Sequence, residues 1–306
     1  MNWISQKTFI EIYPPKEFNA QECLIFLKRS NQEVLHRIKD DFLYKLLQIN
    51  EQPILCQIKL QSNSIKVEFP MHVPSSERSH EEIAQYIWAW FDLEKDLSSF
   101  YKMAKEDIIL KPLVQNYYGL RIIGMPDLFE TLVWAISGQQ INLTFAYTLK
   151  RRFVEQFGES VTFKGEIYWL FPMPERIATI QVDDLRQLQF TLRKSQYIID
   201  IAKMMASGQL LKEKLLLKTD YDEMKKYLVT IRGVGAWTAD YVLMKCLQQP
   251  ESFPIADVGL HNALKKQLAL NQKPTIKEIT SYAMHWTGWQ AYATFYLWRS
   301  LYDETL

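Results

Sequence analysis

The sequence predicts an α+β protein in which an N-terminal antiparallel β-sheet with helices is followed by an all-helical domain. Within residues 8–69, short segments rich in β-branched residues alternate apolar and polar positions and are separated by short turns. From residue 79 onward, apolar residues recur at helical spacing instead. A chain of 306 residues is long enough for two packed units. We therefore predict one unit over residues 1–112 and a second over residues 113–306.

The first unit is predicted to contain five strands and one short helix. Strands are expected over residues 8–13, 33–38, 42–49, 54–60 and 65–69, and the helix over residues 18–29. Pro14 and Pro15 end the first strand, because proline cannot donate a hydrogen bond to a sheet. The short connections favour antiparallel pairing. The alternating polar residues predict that one face of the sheet is solvated.

The remaining chain is predicted to be helical. Residues 81–91 and 93–103 carry apolar residues at helical spacing, and residues 111–120 are interpreted as a hinge into the second unit. Asp127, with Glu130 three residues later, indicates the start of a helix that ends near residues 137–140. Further helices are expected over residues 143–157, 193–202, 221–228, 236–244 and 258–263.

Composition excludes several classes of protein. With 48% hydrophobic and 23% charged residues, the chain is globular and not disordered. The net charge of +1 gives no argument for nucleic acid by itself. Cys23, Cys56 and Cys246 are scattered, which indicates reduced thiols and excludes an iron–sulfur cluster. No segment reaches the length of a membrane span and no signal peptide is evident, so we expect a cytoplasmic protein without a membrane partner.

Residues 226–264 are the segment around which the rest of the chain is organised. They are interpreted as helix, hairpin, helix, proline-bearing loop and then Asp257, which opens another helix. The hairpin contains Gly233-Val234-Gly235, whose glycines allow positive φ and a close approach of the backbone to a large ligand. The first amides of the following helix, beginning at Ala236, lack intrahelical partners and form an anion site. Such a loop can hold a nucleic-acid backbone without reading its sequence.

This arrangement resembles the helix-hairpin-helix base-excision DNA glycosylases, and among them the 3-methyladenine DNA glycosylase II family. The two glycines, and an acid 22 positions after Gly235, carry the resemblance. It covers residues 113–306 well and residues 1–112 more loosely. It implies that Asp257 is catalytic and that the cleft lies between helical subdomains. It also implies a monomer whose partner is double-stranded DNA containing damaged bases.

The resemblance also assigns a base-binding pocket. Trp237 and Tyr241 lie four positions apart on one helix face, and Trp298 falls in a final helix over residues 288–298. Aromatic rings favour an electron-poor, cationic base through stacking and cation–π contact. Leu24 falls where the family has a pocket residue from its N-terminal domain.

The turn Ser137-Gly138-Gln139-Gln140 has two interpretations. It is either a simple helix–helix corner or, by resemblance, the turn that inserts a side chain into the gap left by the extruded nucleotide. The second interpretation assigns that wedge to Gln140.

The hairpin departs from the family pattern at one point. Ile231-Arg232 replaces the usual Leu-Pro, which makes Arg232 a candidate phosphate contact. Family members hold a monovalent cation, Na⁺ or K⁺, with hairpin carbonyls, which would fall on Val229, Ile231 and Gly233. No other cofactor is expected.

The chemistry implied by the resemblance needs only one acid. Breaking a purine N-glycosidic bond builds positive charge on the deoxyribose, which a carboxylate stabilises while it orients water. An alkylated purine is already cationic and leaves without protonation. Trp237 occupies the place of the Schiff-base lysine of strand-cutting glycosylases, so a monofunctional enzyme is predicted.

Three alternatives remain open from the sequence. Asp257 could serve only as the N-cap of the helix over residues 258–263. The chain could be a non-catalytic binder of damaged DNA on the same scaffold. It could also be a glycosylase for oxidised or deaminated bases.

Overall fold

The computed structural model describes residues 1–74, 76–218 and 220–302. Its strands are β1 (Trp3–Ser5), β2 (Phe9–Ile12), β3 (His36–Lys39), β4 (Phe42–Ile49), β5 (Gln52–Leu60), β6 (Ile65–Glu68), β7 (Ser160–Phe163) and β8 (Glu166–Trp169). Its α-helices are α1 (Ala20–Leu27), α2 (Glu77–Trp90), α3 (Ser98–Glu106), α4 (Leu110–Asn116), α5 (Leu128–Gly138), α6 (Leu143–Phe157), α7 (Pro174–Ile177), α8 (Val182–Gln187), α9 (Leu192–Ala206), α10 (Lys212–Leu216), α11 (Tyr221–Val229), α12 (Ala236–Lys245), α13 (Val258–Gln267), α14 (Ile276–Tyr282) and α15 (Gln290–Arg299). Short 3₁₀ helices follow at Ala283–Trp286 and Ser300–Tyr302.

The predicted α+β fold is confirmed. The N-terminal sheet has six antiparallel strands in the order β1-β2-β6-β5-β4-β3. Helix α1 separates β2 from β3 along the chain, and β2 pairs with β6, so that Phe9 lies opposite Glu68. Strand β1 was not predicted; three residues are too few to show an alternating pattern.

The prediction that one sheet face is solvated holds for β2 and β6, where buried and partly exposed residues alternate, and is wrong for the centre of β4. Five consecutive residues at the centre of β4 are buried, so both faces of this strand are covered. On one face Tyr44 and Leu46 pack with Tyr168 of the hairpin β7–β8, which the sequence analysis also missed. The hairpin lies more than a hundred residues further along the chain, so the local sequence of β4 does not predict that this face is covered.

Two helix predictions in the first unit need correction. Residues 111–120 are not a hinge: α4 covers them as far as Asn116, and Leu113, Tyr117 and Leu120 are buried. Pro112 is tolerated because it lies in the first turn of the helix, where its missing N–H would have no partner. The helix predicted over residues 93–103 begins five residues later, at Ser98.

The C-terminal helices return to pack against the N-terminal part of the chain. The rings of Phe26 and Phe295 lie 4.6 Å apart, and the hydroxyls of Tyr101 and Tyr296 share a hydrogen bond of 2.9 Å. One hydrophobic core therefore contains the sheet, α1–α4 and α15. A second core is built by α5–α12. Because the first core is continuous across residue 112, the division of the chain there remains a proposal.

A buried ion-pair network joins the two halves of the molecule. The ammonium of Lys150 on α6 lies 3.0 Å from Glu33 and 3.1 Å from Glu130, and all three side chains are less than 10% exposed. Burial by itself would raise the pKa of Glu33, but the charges of Lys150 and His36, together with hydrogen bonds from Lys150 and the Leu35 N–H, outweigh burial and lower the pKa to about 2. No helix among the described residues is both long enough and apolar enough to span a membrane.

Replacing Lys150 with methionine should destabilise the protein by about 3–5 kcal/mol at pH 7, because two buried carboxylates lose their partner. The lowered pKa of Glu33 means that its stabilising contribution is present above about pH 4.5 and is lost as the pH falls towards about 2. The difference between wild type and variant should therefore narrow below pH 4.5. Denaturant unfolding at pH 7 and pH 4 measures both effects. Arg78→Met, which breaks an exposed ion pair with Glu82, is the matched control and should leave stability unchanged.

Candidate active site

The hairpin between α11 and α12 uses its two glycines differently. Gly233 has φ +91°, and a Cβ added there would lie 2.4 Å from Cγ of Tyr197. Gly235 has φ −86°, so the expectation that both glycines provide positive φ is wrong for this one. An added Cβ at Gly235 would meet nothing within 4 Å. Gly233 is therefore required by the turn and by Tyr197, whereas Gly235 leaves the outer side of the loop open.

The amides of the hairpin are only partly available to a ligand. The N–H of Val234 donates to the carbonyl of Ile231 at 3.0 Å, which removes it from the predicted set of phosphate donors. Within the described residues, the N–H groups of Gly233, Gly235 and Ala236 have no hydrogen-bond acceptor. Gly235 is the N-cap of α12, so these amides lie at the positive end of a helix. Three amides thus remain for an anion.

Arg232 and the hairpin carbonyls remain candidates for ligand binding. The guanidinium of Arg232 is exposed, lies over the ring of Tyr197 and forms a 3.3 Å ion pair with Asp200. Such an exposed pair is weak, so a phosphate can compete for it. Of the carbonyls proposed for a cation, those of Ile231 and Gly233 already accept one hydrogen bond each. Each retains a second lone pair, so the donor set fits a monovalent cation, which remains a prediction along with the carbonyl of Val229.

Asp257 combines the two roles that the sequence left open. Its Oδ1 accepts the N–H of Leu260 at 2.9 Å, so it is the N-cap of α13. The same oxygen accepts Nε1–H of Trp298 at 2.8 Å, and Oδ2 accepts Nε1–H of Trp237 at 3.0 Å. The side chain is half-buried. A carboxylate has about four acceptor positions, so one on Oδ2 remains open. Capping and a functional role are therefore compatible.

Three aromatic residues predicted for the base pocket lie together beside this carboxylate. The ring centres of Trp237 and Tyr241 are 5.5 Å apart, and those of Tyr241 and Trp298 are 6.2 Å apart. Leu24 does not join them. It lines a separate depression together with Tyr118 and other residues, none of which belongs to the aromatic group. Helix α1 turns Cys23, Phe26 and Leu27 towards the core and leaves Leu24 on its flank.

Residues behind Tyr241 were missed by the sequence analysis. Trp134 donates Nε1–H to the Tyr241 hydroxyl at 2.8 Å, and its ring lies 4.8 Å from that of Tyr147. Arg29 donates Nε–H to the hydroxyl of Tyr147 at 2.6 Å. Burial raises the pKa of the Tyr241 phenol, so this group is neutral and its proton is free to donate. These residues come from three separate segments, and no sequence spacing connects them.

The turn after α5 presents Gln140 to solvent. This residue is exposed and has φ +56°, a conformation that non-glycine residues rarely adopt. The preceding Gln139 is half-buried and donates its side-chain amide to the Gly233 carbonyl at 3.0 Å. The turn is therefore more than a helix–helix corner, because it is bonded to the hairpin. The wedge role of Gln140 remains a prediction.

Comparisons with known proteins find two matching families and a closely similar relative. Residues 133–288 match the family described as HhH-GPD superfamily base excision DNA repair protein. Residues 11–132 match the family described as 8-oxoguanine DNA glycosylase, N-terminal domain. The DNA-3-methyladenine glycosylase of Bacillus subtilis (strain 168) is 46% identical over 304 residues, which cover 99% of this chain and 100% of that protein.

Two solved structures share the fold across nearly the whole chain. The 3-methyladenine DNA glycosylase of Archaeoglobus fulgidus superposes with a TM-score of 0.81 at 22% identity, covering 96% of this chain and 98% of that one. The 8-oxoguanine glycosylase/lyase of Clostridium acetobutylicum, in complex with double-stranded DNA, superposes with a TM-score of 0.76 at 18% identity, covering 100% of this chain and 99% of that one. At these identities the likeness establishes the fold alone.

Gly259 should be essential for the geometry of the carboxylate. A Cβ on Gly259 would lie 2.9 Å from Asp257 Oδ1 and 3.2 Å from the Trp298 indole, so Gly259→Ala must displace one or both. We expect base release to fall by about tenfold or more, since a small misplacement of a reacting group is costly. Thermal stability should hold or rise slightly, because alanine favours a helix over glycine. Unchanged activity in a well-folded variant would show that this geometry is not needed.

Proposed function

The chain belongs to the HhH-GPD superfamily of base excision DNA repair proteins, and from this we propose that it is a DNA glycosylase that releases alkylated purines of the 3-methyladenine type from double-stranded DNA. The observation that carries the proposal is the single carboxylate of Asp257, held by two indoles beside an aromatic group and close to a hairpin with open amides. The identity of 46% with a DNA-3-methyladenine glycosylase along the whole chain supports the same substrate class.

The reaction assigned to this site is hydrolysis of the N-glycosidic bond. As the bond between C1′ and the base lengthens, the electron pair leaves with the base and positive charge develops on the sugar. The anionic Asp257 stabilises that charge electrostatically, since its orientation is fixed in advance by three donors. The open acceptor position on Oδ2 then serves a water molecule, which adds to C1′ and transfers a proton to the carboxylate.

The aromatic group supplies selectivity for a cationic base. Trp237, the half-buried member of the group, offers an electron-rich face to a flipped purine, and the buried rings of Tyr241 and Trp298 continue the aromatic group behind that face. A positive charge on the alkylated ring strengthens both stacking and cation–π contact. A cationic base is also a better leaving group, so no second acid is required. Many enzymes that hydrolyse glycosidic bonds use two carboxylates, one of them to protonate the leaving group. A leaving group that is already cationic explains why one carboxylate is enough here.

The hairpin binds the DNA strand next to the lesion. Its three open amides at the start of α12 suit a phosphate oxygen, and this contact is independent of sequence. The same helix carries Trp237 one turn or less from those amides, so strand binding places the sugar near the carboxylate. Gln140 fills the gap in the duplex.

An oxidised-base glycosylase is the second candidate, because the N-terminal residues match the 8-oxoguanine DNA glycosylase family. Neutral lesions must be distinguished from normal bases by specific hydrogen bonds. The proposed pocket offers the hydroxyl of Tyr241 for this purpose and otherwise presents aromatic faces. We therefore rank alkylated purines first. Measuring free base released from duplexes that contain 3-methyladenine, 7-methylguanine, hypoxanthine or 8-oxoguanine decides between the candidates.

Asp257→Asn should abolish base release while DNA binding persists. Asparagine is as good an N-cap as aspartate, so α13 should keep its start. The amide has no negative charge, and its NH₂ group would face one of the indole N–H donors. We expect a loss of about a thousandfold in single-turnover rate, the scale reported for electrostatic stabilisers. Retained release of free base would instead point to a different catalytic group.

The protein should cleave no strand by itself. Within the aromatic group the position of a Schiff-base lysine is occupied by Trp237, whose nitrogen donates to Asp257 and cannot attack C1′. Incubation with alkylated DNA and borohydride should leave no covalent protein–DNA adduct, and strand breaks should arise only after heating in alkali. An adduct trapped with the wild-type protein would contradict the monofunctional assignment and call for a search for the responsible amine.

A further inference from the structure

Lys194 is a buried lysine that faces carbonyls. Its side chain is held at the start of α9, and the residue is 8% exposed. Its ammonium donates to the carbonyl of Ser137 at 2.8 Å and to that of Gln139 at 2.7 Å. No carboxylate pairs with it among the residues that the structure describes. Taking an ammonium out of water without a counterion is costly, and here the two carbonyls are what offsets that cost.

The carbonyls that Lys194 binds belong to the turn that presents Gln140. They lie at the C-terminal end of α5, where backbone carbonyls have no intrahelical partner. The turn is then connected to the hairpin, because the Gln139 side chain donates to the Gly233 carbonyl at 3.0 Å and to the Thr238 hydroxyl at 3.1 Å. Lys194 thus fixes the backbone of Gln139, and Gln139 fixes the turn against the hairpin and α12.

We propose that Lys194 and Gln139 are positioning residues that couple the phosphate-binding hairpin to the wedge Gln140. Binding of the strand by the hairpin and extrusion of the nucleotide by the wedge then occur as one step. This inference rests on the proposed glycosylase function. The wedge needs the coupling because Gln140 is exposed and holds a left-handed backbone conformation that few residues adopt unaided. Unstacking a base costs free energy that the inserted side chain must offset. On an unsupported turn, Gln140 would be displaced and the duplex would stay stacked.

The first experiment measures duplex distortion without catalysis. The probe is a duplex with a tetrahydrofuran abasic analogue next to 2-aminopurine, whose fluorescence rises when it is unstacked. Wild type should bind and raise the signal. Lys194→Met and Gln139→Leu should bind within about threefold of wild type, because the open hairpin amides remain, and should lose about half of the signal or more. Lys194→Arg, which keeps donors for carbonyls, should recover most of it. Lys203→Met, an exposed lysine on the same helix, is the matched control.

The second experiment measures base release. Lys194→Met should lower the single-turnover rate about ten- to hundredfold on a fully paired lesion, because the reacting sugar is misplaced. On a lesion opposite an abasic position, where little unstacking is needed, the rate should return to within about threefold of wild type.

An equal loss on both substrates, with a lower melting temperature, would show that Lys194 acts only through the fold. A wild-type fluorescence signal in both variants would overturn the coupling. If wild type releases no alkylated base, the glycosylase proposal fails, and the fluorescence experiment still tests the coupling.

Discussion

The carboxylate of Asp257 depends on hydrogen-bond donors from three helices. The N–H of Leu260 comes from α13, the indole of Trp237 from α12 and the indole of Trp298 from α15. Helix α12 spans the two cores: Ala239, Val242 and Leu243 belong to the core built by α5–α12. Trp237, Leu260 and Trp298 all pack in or against the core that α15 shares with the N-terminal sheet. The carboxylate can therefore be oriented only when both cores are folded and correctly placed. This constraint explains why the C-terminal helices return across the chain to pack on α1 and α4.

The charges around the site follow from the same arrangement. A net charge of +1 gives no overall attraction for DNA, so binding must come from local groups. The open amides of the hairpin provide partial positive charge at the surface, and the guanidinium of Arg29 provides full charge deeper, 3.9 Å from the Phe26 ring. Aromatic rings separate Arg29 from the carboxylate. Under the proposed function, a cationic base would therefore meet the rings and the carboxylate before it reached Arg29.

The sequence predicted those parts of the protein that depend on local spacing. The strands follow from periodicity and the hairpin from a compact motif, whereas the roles of Asp257 and the three aromatic residues were implied by the family resemblance. The structure brings Trp237, Tyr241 and Trp298 together beside Asp257. It could not predict contacts between distant segments. The hairpin β7–β8 covers a sheet face that alternation alone assigned to solvent, and Trp134, Tyr147 and Arg29 meet only after folding. Leu24, which the resemblance assigned to the pocket, lines a separate depression, because a matched position in a family does not reveal which flank of α1 faces the aromatic group. The amide of Val234 was counted as free although the turn itself uses it.

Trp237 contacts both the carboxylate and the aromatic group, and it lies in the helix that begins at the hairpin. Its nitrogen holds Asp257, its ring lies against Tyr241, and its position in the first turn of α12 ties both to the hairpin. A lysine at this position would gain a nucleophile but would lose the ring that contributes to the pocket, and its flexible ammonium would not orient the carboxylate in the same way. Replacing Trp237 with lysine would therefore not convert a purely hydrolytic site into a strand-cutting one, because the rest of the pocket would change as well. In this protein the aromatic selectivity that we propose for the base and the orientation of the acid depend on the same side chain.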